Sequence, residues 1–184
     1  MKKTNTFKIT IMSIAVVINI VGAFIATTLK LPIFIDTIGT FLSAFLFGPV
    51  GGMLTGMVTS LINGLTFDPY SLYFIPVQAI IGLMAVICYK KNLFKGKFLI
   101  LGIIITTVMG SIVASLISAF VFGGITSSGT SFIVMYLKEA GVNIVTSVFS
   151  TQILFDLIDK GITVLLVLTI LKALPANIKV TSGV

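Results

Sequence analysis

Arginine, histidine and tryptophan are absent from this chain, and the first two absences narrow its chemistry. Without histidine there is no imidazole to move protons near neutral pH. Without arginine, lysine is the only fixed cation. The single cysteine, Cys88, sits in an apolar run, so neither a disulfide framework nor a thiolate metal site can be built, and no metal or cofactor is expected. Charged residues are scarce at 9%, against roughly 25% in an average soluble domain. No Gly-Lys phosphate loop and no dinucleotide fingerprint occurs. Any energy must therefore come from a gradient or a partner.

Hydrophobic residues make up 57% of the 184 positions. That composition defines an integral membrane protein, and at about 20 residues per span plus connections the chain has room for about six. A net charge of +7 could indicate nucleic acid, but the lysines lie at the ends of apolar runs rather than along one solvated face. The strongest cluster is KKNLFKGK, with Lys90, Lys91, Lys95 and Lys97. Together with Lys2, Lys3, Lys8, Lys172 and Lys179, nine of the twelve lysines fall on one side of a six-span arrangement. By the positive-inside rule that side is the cytoplasm, and it holds both termini.

The expected fold is an all-α membrane protein, a six-transmembrane-helix bundle with an outward-facing small-molecule pocket. It forms one integral membrane domain over 1–184, with helices over 9–29, 33–47, 50–65, 75–89, 98–122 and 142–174. The basic start and apolar core of the first segment fit a signal peptide, but no small-x-small cleavage site precedes the next span, so it reads as a helix entering from the cytoplasm. Asn19, near its middle, serves either an interhelical hydrogen bond or a ligand.

The stretch 31–65, LPIFIDTIGTFLSAFLFGPVGGMLTGMVTSLINGL, is the organising element. Its first half, 33–47, would give only roughly 22 Å of helix, short of the roughly 30 Å hydrocarbon core. Gly48 and Pro49 interrupt it, because proline lacks an amide donor and glycine tolerates positive φ. The two halves then fold into a hairpin with Asp36 and Asn63 at one membrane face. Gly52, Gly56, Ser60 and Gly64 recur every four residues, a small-residue stripe for close helix contact. Gly110, Ala114 and Ser118 form a second one.

Polar residues collect toward the outer side. Asp68-Pro69 marks a turn flanked by Tyr70 and Tyr73, which are either interfacial belt residues or stacking surfaces for a flat ligand. Gln78 lies in the first turn of the next helix. In the last helix Gln152, Asp156, Asp159 and Thr163 form one stripe, and Lys160 is four residues beyond Asp156. Charges at that depth are costly unless they face a cavity or pair with each other. Two readings are open: an Asp156–Lys160 bridge that orients helices, or a binding site. The substrate-binding candidates are Asp36, Asn63, Tyr70, Tyr73, Gln78, Gln152, Asp156, Asp159 and Lys160. The segment 131–140 is amphipathic, a lid over the bundle or a plain connector.

The order of these pieces, DTIGT, GPVGG, TSLIN, a tyrosine-bearing outer loop, a lysine-rich loop, LFDLIDK and a terminal ALP, resembles the substrate-binding S components of energy-coupling factor (ECF) vitamin transporters over nearly the whole chain. The resemblance implies a non-enzymatic subunit of the bacterial plasma membrane. Such a subunit captures a water-soluble vitamin or precursor, of riboflavin, pyridoxine or hydroxymethyl pyrimidine type, and delivers it to a module of one transmembrane coupling subunit and two ATPase subunits. It also implies a coupling contact through two small residues of the first helix. Aligned by Asn19 these are Ser13 and Val17, of which only the first is small, with Ala15 or the pair Gly22 and Ala26 as substitutes. A membrane enzyme such as a lipid transferase would need a metal motif or a nucleophile with its base. A homo-oligomeric channel or carrier would need a polar stripe running through the membrane, whereas this one fades after Thr163.

Overall fold

The computed structural model describes residues 2–174, with side chains from Thr6 onward. Among them every regular element is helical: α1 (Lys2–Thr28), α2 (Ile38–Thr66), α3 (Ile75–Lys90), α4 (Leu99–Phe122), α5 (Thr130–Glu139) and α6 (Ile144–Ala173), with short 3-10 turns at Pro69–Leu72 and Gly96–Phe98. Three segments, Thr6–Thr28, Ile38–Thr66 and Gly96–Phe122, are long and apolar enough to cross a membrane. The apolar α3 is shorter. The 30 residues of α6 are long enough, but they carry Asp156, Asp159 and Lys160. Lys179 and Pro175, and the side chains of Lys2 and Lys3, lie outside the described residues.

The surface of this bundle is inverted relative to a soluble domain. Its exposed side chains include Ile14, Val17, Phe24, Ile104, Leu116 and Leu165, while Thr40, Thr59, Thr106 and Ser111 are buried. Apolar surface on this scale is stable only against lipid.

α2 consists of two helical arms joined by a sharp kink at Gly48, across which the chain reverses direction. Gly48 has φ 78° and ψ −165°, a conformation that only glycine adopts readily, and Pro49 begins the second arm where a missing N–H costs least. The reversal is proved by Asn19, whose Nδ2 donates to Thr40 Oγ1 at 3.0 Å and to Thr59 Oγ1 at 3.2 Å. A straight helix would hold those two threonines roughly 28 Å apart. The small-residue stripe of the second arm faces α3, and the backbones nearly touch: a Cβ added to Gly82 would lie 2.6 Å from the Gly52 carbonyl carbon. Gly56 sits under Gln78 and Gly64 under Leu72.

The two ends of the bundle differ in character. Near the lysine-rich loop the core is apolar, with Phe45 stacked on Tyr89 at a centroid distance of 4.2 Å and Phe94, Val164 and Val167 buried beside it. Cys88 is buried in this core. The opposite end is assembled from loops and polar side chains.

Residues 33–37 are not helical, which corrects the expected start of the second helix. Pro32 disfavours helix at Leu31, and Ile35 has φ 52°, rare for a β-branched residue. The segment 29–37 is an irregular strap laid into the bundle. The N–H of Ile35 donates to Asp159 Oδ1 at 2.9 Å. On the strap's other side a Cβ at Gly22 would overlap the Ile35 carbonyl oxygen. Gly22 thus seats the strap, with Ala26 buried in the same helix. The segment 131–140 coincides largely with α5, which packs through Val134 on Ala119 and Val148 at the flank of α4 and α6. Residues 126–128, just ahead of it, approach the polar end.

Candidate ligand-binding site

At the polar end the strap, α1, the second arm of α2, the turn 68–74, α3, α4, residues 126–128 and α6 surround a cavity of about 80 Å³. Seven of the nine candidate binding residues line it: Asp36, Asn63, Tyr70, Gln78, Gln152, Asp156 and Lys160. Tyr73 does not; it is 55% exposed and meets Phe122 edge-on at 5.0 Å. Asp159 does not either, because the strap lies over it.

A directional chain of hydrogen bonds leads to Asp36. The Gly39 N–H donates to Asn19 Oδ1 at 2.6 Å, which identifies the other arm of that amide as the donor to Thr40 and Thr59. Thr40 Oγ1 then donates to Gln78 Oε1 at 3.4 Å, and Gln78 Nε2 donates to Asp36 Oδ2 at 2.6 Å. Asp36 is thereby held as an acceptor. It lines the cavity while half-buried, and this burial, more than its carboxylate neighbours Asp159 and Asp156, pushes its pKa up to about 6 against the pull of Lys160.

α6 supplies the rest of the charge. Asp156 Oδ2 accepts from Ser111 Oγ at 2.6 Å and from Gln152 Nε2 at 3.1 Å. Lys160 does not bridge to Asp156 as the four-residue spacing suggests. Its flexible stem turns back to its neighbour, placing Nζ 2.6 Å from Asp159 Oδ2. Asp159 therefore anchors both the strap and the buried ammonium.

Two acceptors at the rim are buried without a partner, Asn63 Oδ1 and Asp68 Oδ1; Asp68 Oδ2 accepts from Ser71 Oγ at 2.6 Å. Above them Phe122 contacts Tyr70 and Phe74, at 5.0 and 6.2 Å between ring centroids. The sequence reading missed Phe34 and residues 126–128, which line the cavity, and Phe122, which packs against the Tyr70 and Phe74 rings of its wall. The aromatic residue directly before the Gly123-Gly124 break was the available signal. On α1, Ser13 and Val17 lie on the exposed face while Ala15 is buried against Gly39, out of reach of any partner.

A lipid-facing helical bundle around a polar cavity, whose carboxylates are oriented by hydrogen bonds from their neighbours, is the build of a membrane-embedded binding protein. Residues 7–171 match the family described as ECF transporter, substrate-specific component, and the chain belongs to that family. It is a substrate-binding subunit of an ECF transporter, a membrane protein of a class that binds small substrates and works with membrane coupling and ATPase modules. No individual curated protein and no solved structure matches the chain.

Proposed function

We propose that this subunit captures a water-soluble vitamin or vitamin precursor from outside the cell and passes it to a coupling subunit and two ATPase subunits, without chemistry of its own. The observation that carries the reading is the convergence of seven polar side chains from five elements, three of them from α6, on one cavity at the end of the bundle away from the lysine-rich loop. A small concave site with a few fixed polar groups among aromatic and aliphatic walls is what small-molecule recognition needs. In this reading the chain is a single membrane domain of six spans. Both arms of α2 count as spans, the termini and the 90–97 loop are cytoplasmic, and the cavity opens outward. The exposed face of α1 around Ser13 and Val17 meets the coupling subunit. Substrates of the riboflavin, pyridoxine or hydroxymethyl pyrimidine type are flat and carry hydrogen-bonding edges, in keeping with the polar side chains and aromatic rings that line the cavity.

The test is a thermal-shift screen of the purified protein against water-soluble vitamins, paired with affinity purification from cells that also express the coupling and ATPase subunits. At least one vitamin should raise the melting temperature, and the partners should co-purify. A protein that binds no vitamin and emerges alone from that purification is not a transporter subunit of this kind.

A further inference from the structure

The chain has five acidic residues and twelve lysines, yet four of the acids and a single lysine gather at the cavity. Asp36, Asp68 and Asp156 line it, Asp159 stands behind the strap, and Lys160 is the one lysine in its wall, the exposed Lys30 reaching only the Ser127 carbonyl at 3.2 Å. That ammonium is committed to Asp159, with Nζ and Oδ2 2.6 Å apart. Among the described residues Asp36, Asp68 and Asp156 have no ion-pair partner. Carboxylates held away from water without a countercharge are costly to a fold.

The hydrogen-bonding pattern has the same sign. Asn63 is 2% exposed and Asp68 8% exposed, and each presents an unpartnered Oδ1. Orphaned buried acceptors call for donors. The chain from Asn19 through Thr40 and Gln78 leaves Asp36 as one more acceptor. No three carboxylates among the described residues converge closely enough to hold a metal ion. The remaining wall includes Phe34, Tyr70 and Phe74, whose ring faces attract a delocalised positive charge.

Taking the cavity as the substrate site, we infer that its ligand is an organic cation: a flat molecule whose protonated or quaternised nitrogen lies among Asp36, Asp156 and Asp68, with N–H or O–H donors toward Asn63. The ligand supplies the countercharge that the chain withholds. An anionic ligand would instead meet three carboxylates against one ammonium that already pairs with Asp159.

The experiment uses pyridoxamine and pyridoxine, near-isosteres that differ in carrying an ammonium or a hydroxyl. Thiamine serves as a permanent cation, riboflavin as a neutral probe and pantothenate as an anion. Each is titrated into the full-length protein in detergent near neutral pH, by thermal shift and calorimetry. The cationic member of the pair should bind roughly 10- to 100-fold more tightly, the scale of one charge-assisted hydrogen bond. That preference should shrink in Asp156→Asn. If the variant does not fold, the ranking of the pair by the wild-type protein decides alone. Tighter binding of pyridoxine, riboflavin or pantothenate than of either cation overturns the inference and leaves the transporter reading standing. Stabilisation by sodium or magnesium chloride with no response to any organic cation overturns it as well. No response to any vitamin, of whatever charge, removes both.

Discussion

Replacing Asp159 by asparagine separates the group that holds the strap from the groups that face a ligand. Asp159 is 2% exposed, accepts from the Ile35 N–H at 2.9 Å and pairs with Lys160 at 2.6 Å. An asparagine keeps an acceptor for Ile35 but removes the charge opposite the ammonium. Breaking a buried pair by removing one partner costs about 3–5 kcal/mol. Asp36 and Asp156 stay within electrostatic reach of Lys160, so a net loss of about 2–3 kcal/mol is expected. For a chain of this length that is a fall of roughly 5–10 °C in melting temperature. Asp156→Asn is the comparison. Its bonds from Ser111 and Gln152 go to one oxygen, which an amide oxygen can replace, so its stability cost stays within about 1 kcal/mol while the charge facing the cavity is lost. Both variants are melted and titrated, on the same preparations, with whichever vitamin stabilises the wild type. Asp159→Asn should lose stability first and affinity only as the strap loosens; Asp156→Asn should do the reverse. An Asp159→Asn protein that melts like the wild type but binds weakly would refute this assignment and bring Asp159 into direct contact with the ligand.

Gly82→Ala should sharply lower the yield of monodisperse protein, because the new Cβ meets the backbone of Gly52 and Met53 at 2.6 and 2.7 Å. Gly161→Ala in α6, where nothing lies within 4 Å, should be neutral or stabilise by about 0.5–1 kcal/mol; equal melting temperatures for the two variants would mean that α2 and α3 are not in backbone contact. Burial raises the Asp36 pKa to about 6 from 3.8, so its contribution to stability is full below pH 3.8 and is lost as pH rises through 6. The ligand-free melting temperature should therefore decline across that window, with Asp156, Asp159 and Lys160 of α6 and Gln78 of α3 facing the group, and Asp36→Asn should flatten the decline. Affinity for a cationic probe should rise over the same interval, and a pH-independent affinity would exclude Asp36 from the contact. A cysteine introduced at Lys95 should resist a membrane-impermeant thiol reagent in intact cells; labelling from outside would invert the topology and close the outward route to the cavity.

The amino-acid sequence determined the class of the protein by itself. Lipid requires apolar runs and rejects unpaired charge, so a chain with 9% charged residues declares its solvent. The few polar residues it keeps in apolar runs are conspicuous for the same reason. Asn63, Gln78, Gln152, Asp156 and Lys160 could be singled out from their positions alone, and the break at Gly48-Pro49 is written in residues whose backbone limits are intrinsic.

Tertiary structure decided the rest. Whether 33–37 coils as helix depends on Asp159, which takes the Ile35 amide from 124 positions away, and no local propensity contains that bond. The spacing of α6 favours Lys160 with Asp156, but the stem of a lysine is long enough to reach either carboxylate, and the strap's demand on Asp159 holds that carboxylate where Nζ can meet it. A stripe of small residues announces close contact without naming the partner; that it is α3, with Gln78 pressed over Gly56, follows only when the backbones meet. Phe122 backs the aromatic wall because the turn after α2 brings Tyr70, Tyr73 and Phe74 against it. Local sequence sets what each segment can form, and long-range hydrogen bonds in a low-dielectric interior, where an unmade bond is expensive, choose among the possibilities.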